Sequence, residues 1–272
     1  MRVKVRASSW SGLFDCAHKW EGVNLMGMKS VSGLRATLGT AIHASTAVFD
    51  ESRMQGTGIT AMDAAGAFID TLHNPQGEVD YRGEDLTLTE AERIGLVLHS
   101  KYCTEVSPLY EFAAVELTAK PLILDVGDGL EIEITGTLDR ARIIKSSFGT
   151  CIGDLKTGRM SVITNKSGDR VAATVGHAAQ LGTYEILYEH STGEEINAPS
   201  EIIALSTGSK QDIAVGKIDN ARDVLLGKDG KPGLIEYAAV MLKSGMFPPN
   251  PKSQLCGEKY CPRYSRCTFK NK

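Results

Sequence analysis

The chain of 272 residues has no surplus of positive charge. Its formal net charge is −3, so no global basic field draws it to nucleic acid or to an anionic membrane, and any phosphate-binding surface must be local. No apolar stretch approaches the roughly 18 residues of a membrane-spanning helix. The basic start, MRVKVRASSW, is followed by no uninterrupted apolar segment of the export-signal kind. These absences argue against a membrane-embedded class and set the expectation of a cytoplasmic protein. Cysteine is too scarce for a disulfide framework, six in the whole chain, and those at short spacing read better as a metal or cluster site. No internal repeat, flavin or nicotinamide fingerprint, or fused helicase motif is visible. A redox protein is therefore poorly supported, and any DNA motor would be a separate partner.

A 42% hydrophobic content suffices for a sizeable core. With no linker long enough to separate independent domains, residues 1–272 are expected to form one unit, of class α/β (α+β). Residues 1–110 read as a helical layer. "SSWSGLFDCAHKWEGVNL" offers Ser8 and Ser9 as N-caps and spaces Trp10, Leu13, Phe14 and Trp20 roughly as a helix does. "LRATLGTAIHASTAVFDESRM", "TAMDAAGAFIDTLHN" and "LTEAERIGLVLHSKYCTEV" are three further helical stretches. From about residue 111 to 245 the texture turns to strands. "FAAVELTAKPLIL", "LEIEITGTLDRARII" and "GTCIGDLKTG", separated by "DVGDG" and "KSSFG", predict an antiparallel meander of three or four strands. The helix "GHAAQLGTYEILYEHS" follows, then strands in "EIIALST" and "KQDIAVGKI". A long helix through "DVLLGKDGKPGLIEYAAVMLKSG" is placed for interruption at Gly230 and Pro232. Residues 246–272 form a Pro- and Cys-rich tail.

Within the strand region, "GTLDRARIIKSSFGTCIGDLKTG" places Asp139 and Asp154 at the ends of apolar runs, with Lys156 two residues beyond Asp154 and so on the same strand face. Two carboxylates arriving from neighbouring strands can share a hard divalent cation such as Mg²⁺ or Mn²⁺. A lysine beside them can steer or deprotonate a water, or hold a phosphate as a point charge. A single D-x-K is more often a weak surface ion pair. Its companions matter: Gln180 and Tyr184 stand four apart on one helix, and His43 sits among small residues on another.

Taken in order, these motifs resemble the RecB-like branch of the PD-(D/E)XK nuclease superfamily. The family pattern is a helical His, a G-x-x-D strand, a D-x-K strand and a Q-x-x-x-Y helix. Here it is matched by His43, by "GTLD" ending at Asp139, by "DLK" at Asp154 and Lys156, and by Gln180 with Tyr184. Glu116 in "AAVEL" matches the glutamate found on the first core strand. The resemblance implies a restriction-endonuclease-like core, a central mixed sheet flanked by helices. It implies His43, Asp139, Asp154 and the Leu155 carbonyl as ligands of Mg²⁺ or Mn²⁺, Lys156 on the hydrolytic water, and Gln180 and Tyr184 supporting the site or orienting the DNA backbone.

The tail carries Cys256, Cys261 and Cys267 at C-x4-C-x5-C, and Cys16 stands near the start. Three close thiols need a fourth ligand for a four-coordinate sulfur site. The arrangement resembles the iron-sulfur subset of the same nucleases, in which one N-terminal and three C-terminal cysteines hold a 4Fe-4S cluster; Zn²⁺ is the alternative. Ala17 stands where that subset has proline, and four residues rather than two separate the first two tail cysteines. Cys103 and Cys151 lie in apolar segments as packing thiols. The expected activity is a metal-dependent DNA exonuclease acting on single-stranded ends in recombination, repair or end processing. The alternative is a DNA-binding or docking subunit of a recombination or CRISPR adaptation complex.

Overall fold

The structure is a computed structural model that describes residues 1–29, 31–82 and 85–270; the last two residues of the Cys-rich tail, 271 and 272, lie outside the described residues. The N-terminal half comprises β1 (Arg2–Arg6), α1 (Trp10–Asp15), α2 (Ala17–Asn24), β2 (Ser32–Gly33), α3 (Leu34–Gln55), α4 (Ala61–His73), β3 (Val79–Asp80) and α5 (Leu88–Lys101). Strands then dominate, with β4 (Tyr110–Thr118), β5 (Leu122–Asp125), β6 (Glu131–Thr135), β7 (Thr137–Ile144), β8 (Thr150–Gly158), β9 (Val162–Thr164) and β10 (Arg170–Ala172). The chain continues through α6 (Ala178–Thr192), β11 (Ser200–Ser206), β12 (Ile213–Ile218), α7 (Ala221–Leu226) and α8 (Leu234–Ser244).

The central sheet has the order β12-β11-β8-β7-β4 and is mixed: β11 runs parallel to β8, and the other neighbours are antiparallel. A parallel pair needs a crossover, which α6 supplies. Period-two alternation along β11 sends side chains to two cores. Ile203 and Leu205 join Leu155 under α3, α4 and α5, while Ile202 and Ala204 pack with Leu181, Tyr184 and Tyr188 of α6. The sheet is thus covered on both faces, and helices α3 and α6 can each deliver side chains to the ends of its inner strands β7 and β8. Capping boxes fix two of the helix starts: Thr60 with Asp63 begins α4 and Thr87 with Glu90 begins α5.

Three sequence expectations need correction. First, the expected helical layer opens with a strand: β1 pairs in parallel with β6, about 130 residues away, which in turn pairs with β5. Second, the meander is divided between two sheets. The chain changes sheet at Gly136, where a Cβ would stand 2.9 Å from the Tyr184 ring and 3.1 Å from Ala7. Third, Ser8 and Ser9 cap no helix. The stretch Ala7–Ser9 is a 3₁₀ turn, and the Ser9 hydroxyl donates back to the Arg6 carbonyl at 2.9 Å; the helix is then cut at Cys16, which is extended. The long C-terminal stretch is interrupted where Gly230 and Pro232 placed the break, giving two helices, α7 and α8, joined by a turn between Gly227 and Gly233, so close that a Cβ on Gly233 would meet the Leu225 carbonyl at 2.2 Å.

Three glycines bring the functional elements together. A Cβ on Gly39 of α3 would meet Thr157 Oγ1 of β8 at 2.5 Å, so α3 lies against the strand carrying Asp154. Gly153 leaves room for Arg142 to cross β8 and pair with Glu201, both buried. Gly182 puts α6 against the backbone of α7, a Cβ there lying 2.6 Å from the Ala221 carbonyl. Because that neighbour is main chain and cannot swing aside, Gly182→Ala is expected to cost roughly 1–3 kcal/mol through overpacking. Urea denaturation checks this, and an unchanged midpoint with unchanged slope would contradict the packing account.

Candidate active site

Strands β7 and β8 pair only as far as Arg140 and Gly153. Beyond that point the ladder stops, and the Leu155 N–H donates instead to Asp139 Oδ2 at 2.7 Å. The carboxylates of Asp139 and Asp154 therefore sit side by side where the two strands diverge. Lys156 lies on the Asp154 side, its ammonium paired with Asp154 Oδ2. Gln180 of α6 donates to Asp154 Oδ1 at 3.2 Å and to the Tyr184 hydroxyl at 3.1 Å. From the opposite helix, His43 of α3 brings Nδ1 to 3.4 Å from Asp139 Oδ1. Glu116 of β4 completes the ring, and donor atoms of His43, Glu116 and Asp139 all lie within 4.8 Å of one another.

Every predicted active-site residue is thus in one place. Tyr184 is buried beneath Gln180, which suits support of the site rather than contact with a substrate. Leu155 contributes an N–H to Asp139, a role distinct from the carbonyl ligand the resemblance implied. Glu116 adopts φ of +48°, a left-handed conformation uncommon outside glycine and characteristic of functional positions. Sequence reading missed the supporting residues. Arg140, fully buried, binds Asp50 of α3, also fully buried, at 2.7 Å and Glu116 at 3.1 Å. Asp50 falls two helical turns after His43, a spacing that could have signalled a common face. His177, at the start of α6, is held below the usual imidazole range by burial and by the Lys156 charge.

The electrostatics separate the two aspartates. Burial raises Asp139, but His43, Arg140 and the Leu155 N–H override it and hold it down at about 2. Burial and the adjacent Asp139 charge push Asp154 up to about 6, with Lys156 offsetting some of the rise. His43 is raised: burial lowers it, yet the Asp139, Asp154 and Glu116 carboxylates outweigh burial. Asp154 Oδ2 is buried, and the Lys156 ammonium is its partner among the described residues. Buried carboxylates gathered beside an imidazole, with donor atoms of His43, Glu116 and Asp139 within 4.8 Å of one another, are a donor set that fits a divalent cation.

The other expected site also assembles. Cys16, Cys256, Cys261 and Cys267 line a single cavity. Cys16 sits in the break between α1 and α2, and its Sγ accepts the Asn250 N–H at 3.4 Å. The tail is held there by Asn250 Nδ2 to the Asp15 carbonyl at 2.9 Å, Ser253 Oγ to the Asp15 carboxylate at 2.5 Å, and Arg263 to the His18 carbonyl at 3.1 Å. Slight burial and the three other thiols raise Cys256. Four converging thiols suit a thiolate-bound metal or cluster. Cys103 and Cys151 are buried elsewhere.

The fold is a mixed sheet flanked by helices, with histidine, two aspartates and a lysine gathered where two strands diverge, a site built on paired carboxylates. A model of the PD-(D/E)XK nuclease superfamily matches residues 7–268, and the chain belongs to that superfamily. The crystal structure of a candidate exonuclease from Eubacterium rectale is similar in fold, with a TM-score of 0.51 and 14% identity over 92% of this chain and 86% of the other. No curated protein matches the sequence. Among the described residues no helix is long and apolar enough to cross a membrane.

The raised Asp154 has a stability consequence. A carboxyl whose folded value lies above its unfolded one adds stability at low pH that is lost as the pH climbs from about 4 through about 6. Asp154→Asn removes the loss. In EDTA at pH 8 the variant is expected to be more stable than wild type by roughly 1–3 kcal/mol, the gain shrinking toward pH 4. Denaturant titrations at the two pH values check this; equal stability at pH 8 would contradict a desolvated carboxylate.

Proposed function

We propose that the protein is a Mg²⁺- or Mn²⁺-dependent deoxyribonuclease that removes nucleotides from DNA ends, preferentially single-stranded ones. The observation that carries this reading is the meeting of Asp139, Asp154 and Lys156 where β7 and β8 diverge. The local charge count supports it. Among the described residues Asp50, Glu116, Asp139 and Asp154 form ion pairs with Arg140, Lys156 and His43, so the carboxylates outnumber the permanent cations that pair with them, an imbalance that a divalent ion would neutralise.

In this reading His43, Asp139, Asp154 and the Leu155 carbonyl hold the cation. When bound, it supplies Lewis-acid stabilisation of phosphate charge and lowers the pKa of a water. Lys156 orients the attacking water and steers its proton. Gln180 fixes Asp154 from α6, and buried Tyr184 fixes Gln180. Glu116 adds a carboxylate on the α3 side. Residues 1–272 act as one unit, residues 1–110 closing over the core of 111–245 and the tail of 246–272 returning to Cys16. The four thiols hold a 4Fe-4S cluster that staples the ends of the chain, with Zn²⁺ as the other occupant the donor set would accept. The setting is cytoplasmic recombination, repair or end processing, in a phage or a cell, alongside a separate helicase, annealing or recombination protein.

The test uses end-labelled single- and double-stranded DNA and protein purified without oxygen. Wild type with Mn²⁺ or Mg²⁺ is expected to shorten labelled ends, and Lys156→Ala to lose at least 100-fold in rate, the scale on which a positioned proton-transfer group acts, about 10²–10⁴-fold. A brown protein whose visible absorbance bleaches on reduction and whose colour is lost in Cys261→Ser supports the cluster; a colourless zinc protein removes it. Metal-dependent binding without cleavage would overturn the nuclease reading in favour of a docking subunit.

A further inference from the structure

Arg140 is among the largest fully buried side chains, an unusual place for a guanidinium unless its donors are used. All three of its nitrogens are. Nε donates to Asp50 Oδ2 at 2.7 Å, Nη2 to Thr46 Oγ1 at 3.2 Å, and Nη1 both to the Asp139 carbonyl at 2.7 Å and to Glu116 Oε1 at 3.1 Å. Asp50 is equally fixed, taking the Tyr102 hydroxyl on Oδ2 at 2.5 Å and the Ser107 hydroxyl on Oδ1 at 2.6 Å. One end of the guanidinium is therefore clamped to α3, and the other end touches two members of the metal-binding group.

Helix α3 supplies both His43, which reaches Asp139, and Asp50, which reaches Arg140. The separation between histidine and carboxylates is thus set twice, once directly and once through Arg140. Glu116 needs such a restraint, since its backbone stands at φ of +48° and its side chain is about two-fifths exposed, leaving it free to turn outward.

Resting on the nuclease reading above, we infer that Arg140 is a positioning residue for the divalent-cation site: anchored by Asp50, it holds Glu116 and the Asp139 main chain at the spacing that lets His43, Glu116 and Asp139 converge. Lysine cannot replace it, because a single ammonium on a flexible stem does not reach Asp50, the Asp139 carbonyl and Glu116 in one planar fork. The role is separate from charge, which lysine preserves.

The test is Mn²⁺ binding followed by electron paramagnetic resonance of the free ion, on wild type, on Arg140→Lys, and on Arg140→Gln combined with Asp50→Asn, which removes both buried charges together. Folding is followed by circular dichroism and DNA binding is measured in EDTA. Both variants are expected to fold and to bind DNA as wild type does, yet to bind Mn²⁺ about tenfold more weakly or worse, as loss of an outer support to a metal ligand does, with cleavage restored at high Mn²⁺. A folded variant with wild-type Mn²⁺ affinity would overturn the inference while leaving the nuclease reading intact. Failure of both variants to fold would also overturn it, assigning the pair to structure alone. Absence of Mn²⁺ binding in wild type would sink the nuclease reading itself.

Discussion

Two carboxylates held side by side away from water repel one another, and the fold is arranged around keeping Asp139 and Asp154 in that position. Each partner found at the site offsets some of the penalty. The Leu155 N–H and His43 stabilise charge on Asp139, while Lys156 and Gln180 address Asp154. The compensation is uneven, so one aspartate titrates low and the other high, the separation expected when like charges share a desolvated site. In the proposed reading a divalent cation would resolve what remains of the repulsion. Stability is thus given up locally for a site poised to bind, the usual relation between function and marginal stability.

The surrounding architecture follows from that requirement. A site fed from two neighbouring strands needs their ladder to end early, which it does after Arg140 and Gly153. It needs helices on both faces of the sheet, because His43 arrives from α3 and Gln180 from α6. Glycine controls how near those helices come, at Gly39 against Thr157 and at Gly182 against Ala221. The Cys-lined cavity lies at the junction of the two chain ends, where a metal or cluster would add a cross-link that closes a loop of most of the chain.

Much of this was legible in the residues. Periodicity put Asp154 with Lys156 on one strand face and Gln180 with Tyr184 on one helix face, the resemblance to the nuclease superfamily joined them with Asp139 in one site, and the long helices were equally plain. What sequence hid was long-range. Nothing near residues 2–6 says that β1 pairs with β6, and nothing near Gly136 says that the chain changes sheet there. The buried charges were hidden for the same reason: Arg140 and Asp50 lie 90 positions apart, and each alone looks like an ordinary surface charge. The split at Cys16 was invisible because the local pattern is helical, while the partner that meets the break, Asn250 of the tail, lies far along the chain.

The most direct measurement of the central claim is anomalous scattering from a crystal grown with Mn²⁺ and catalytically inactive by the Lys156→Ala change. The account predicts a manganese peak bonded to carboxylate oxygens of both Asp139 and Asp154, at about 2.0–2.3 Å, the range for hard divalent ions on oxygen. A crystal whose two aspartates carry no metal between them at millimolar Mn²⁺ would contradict it.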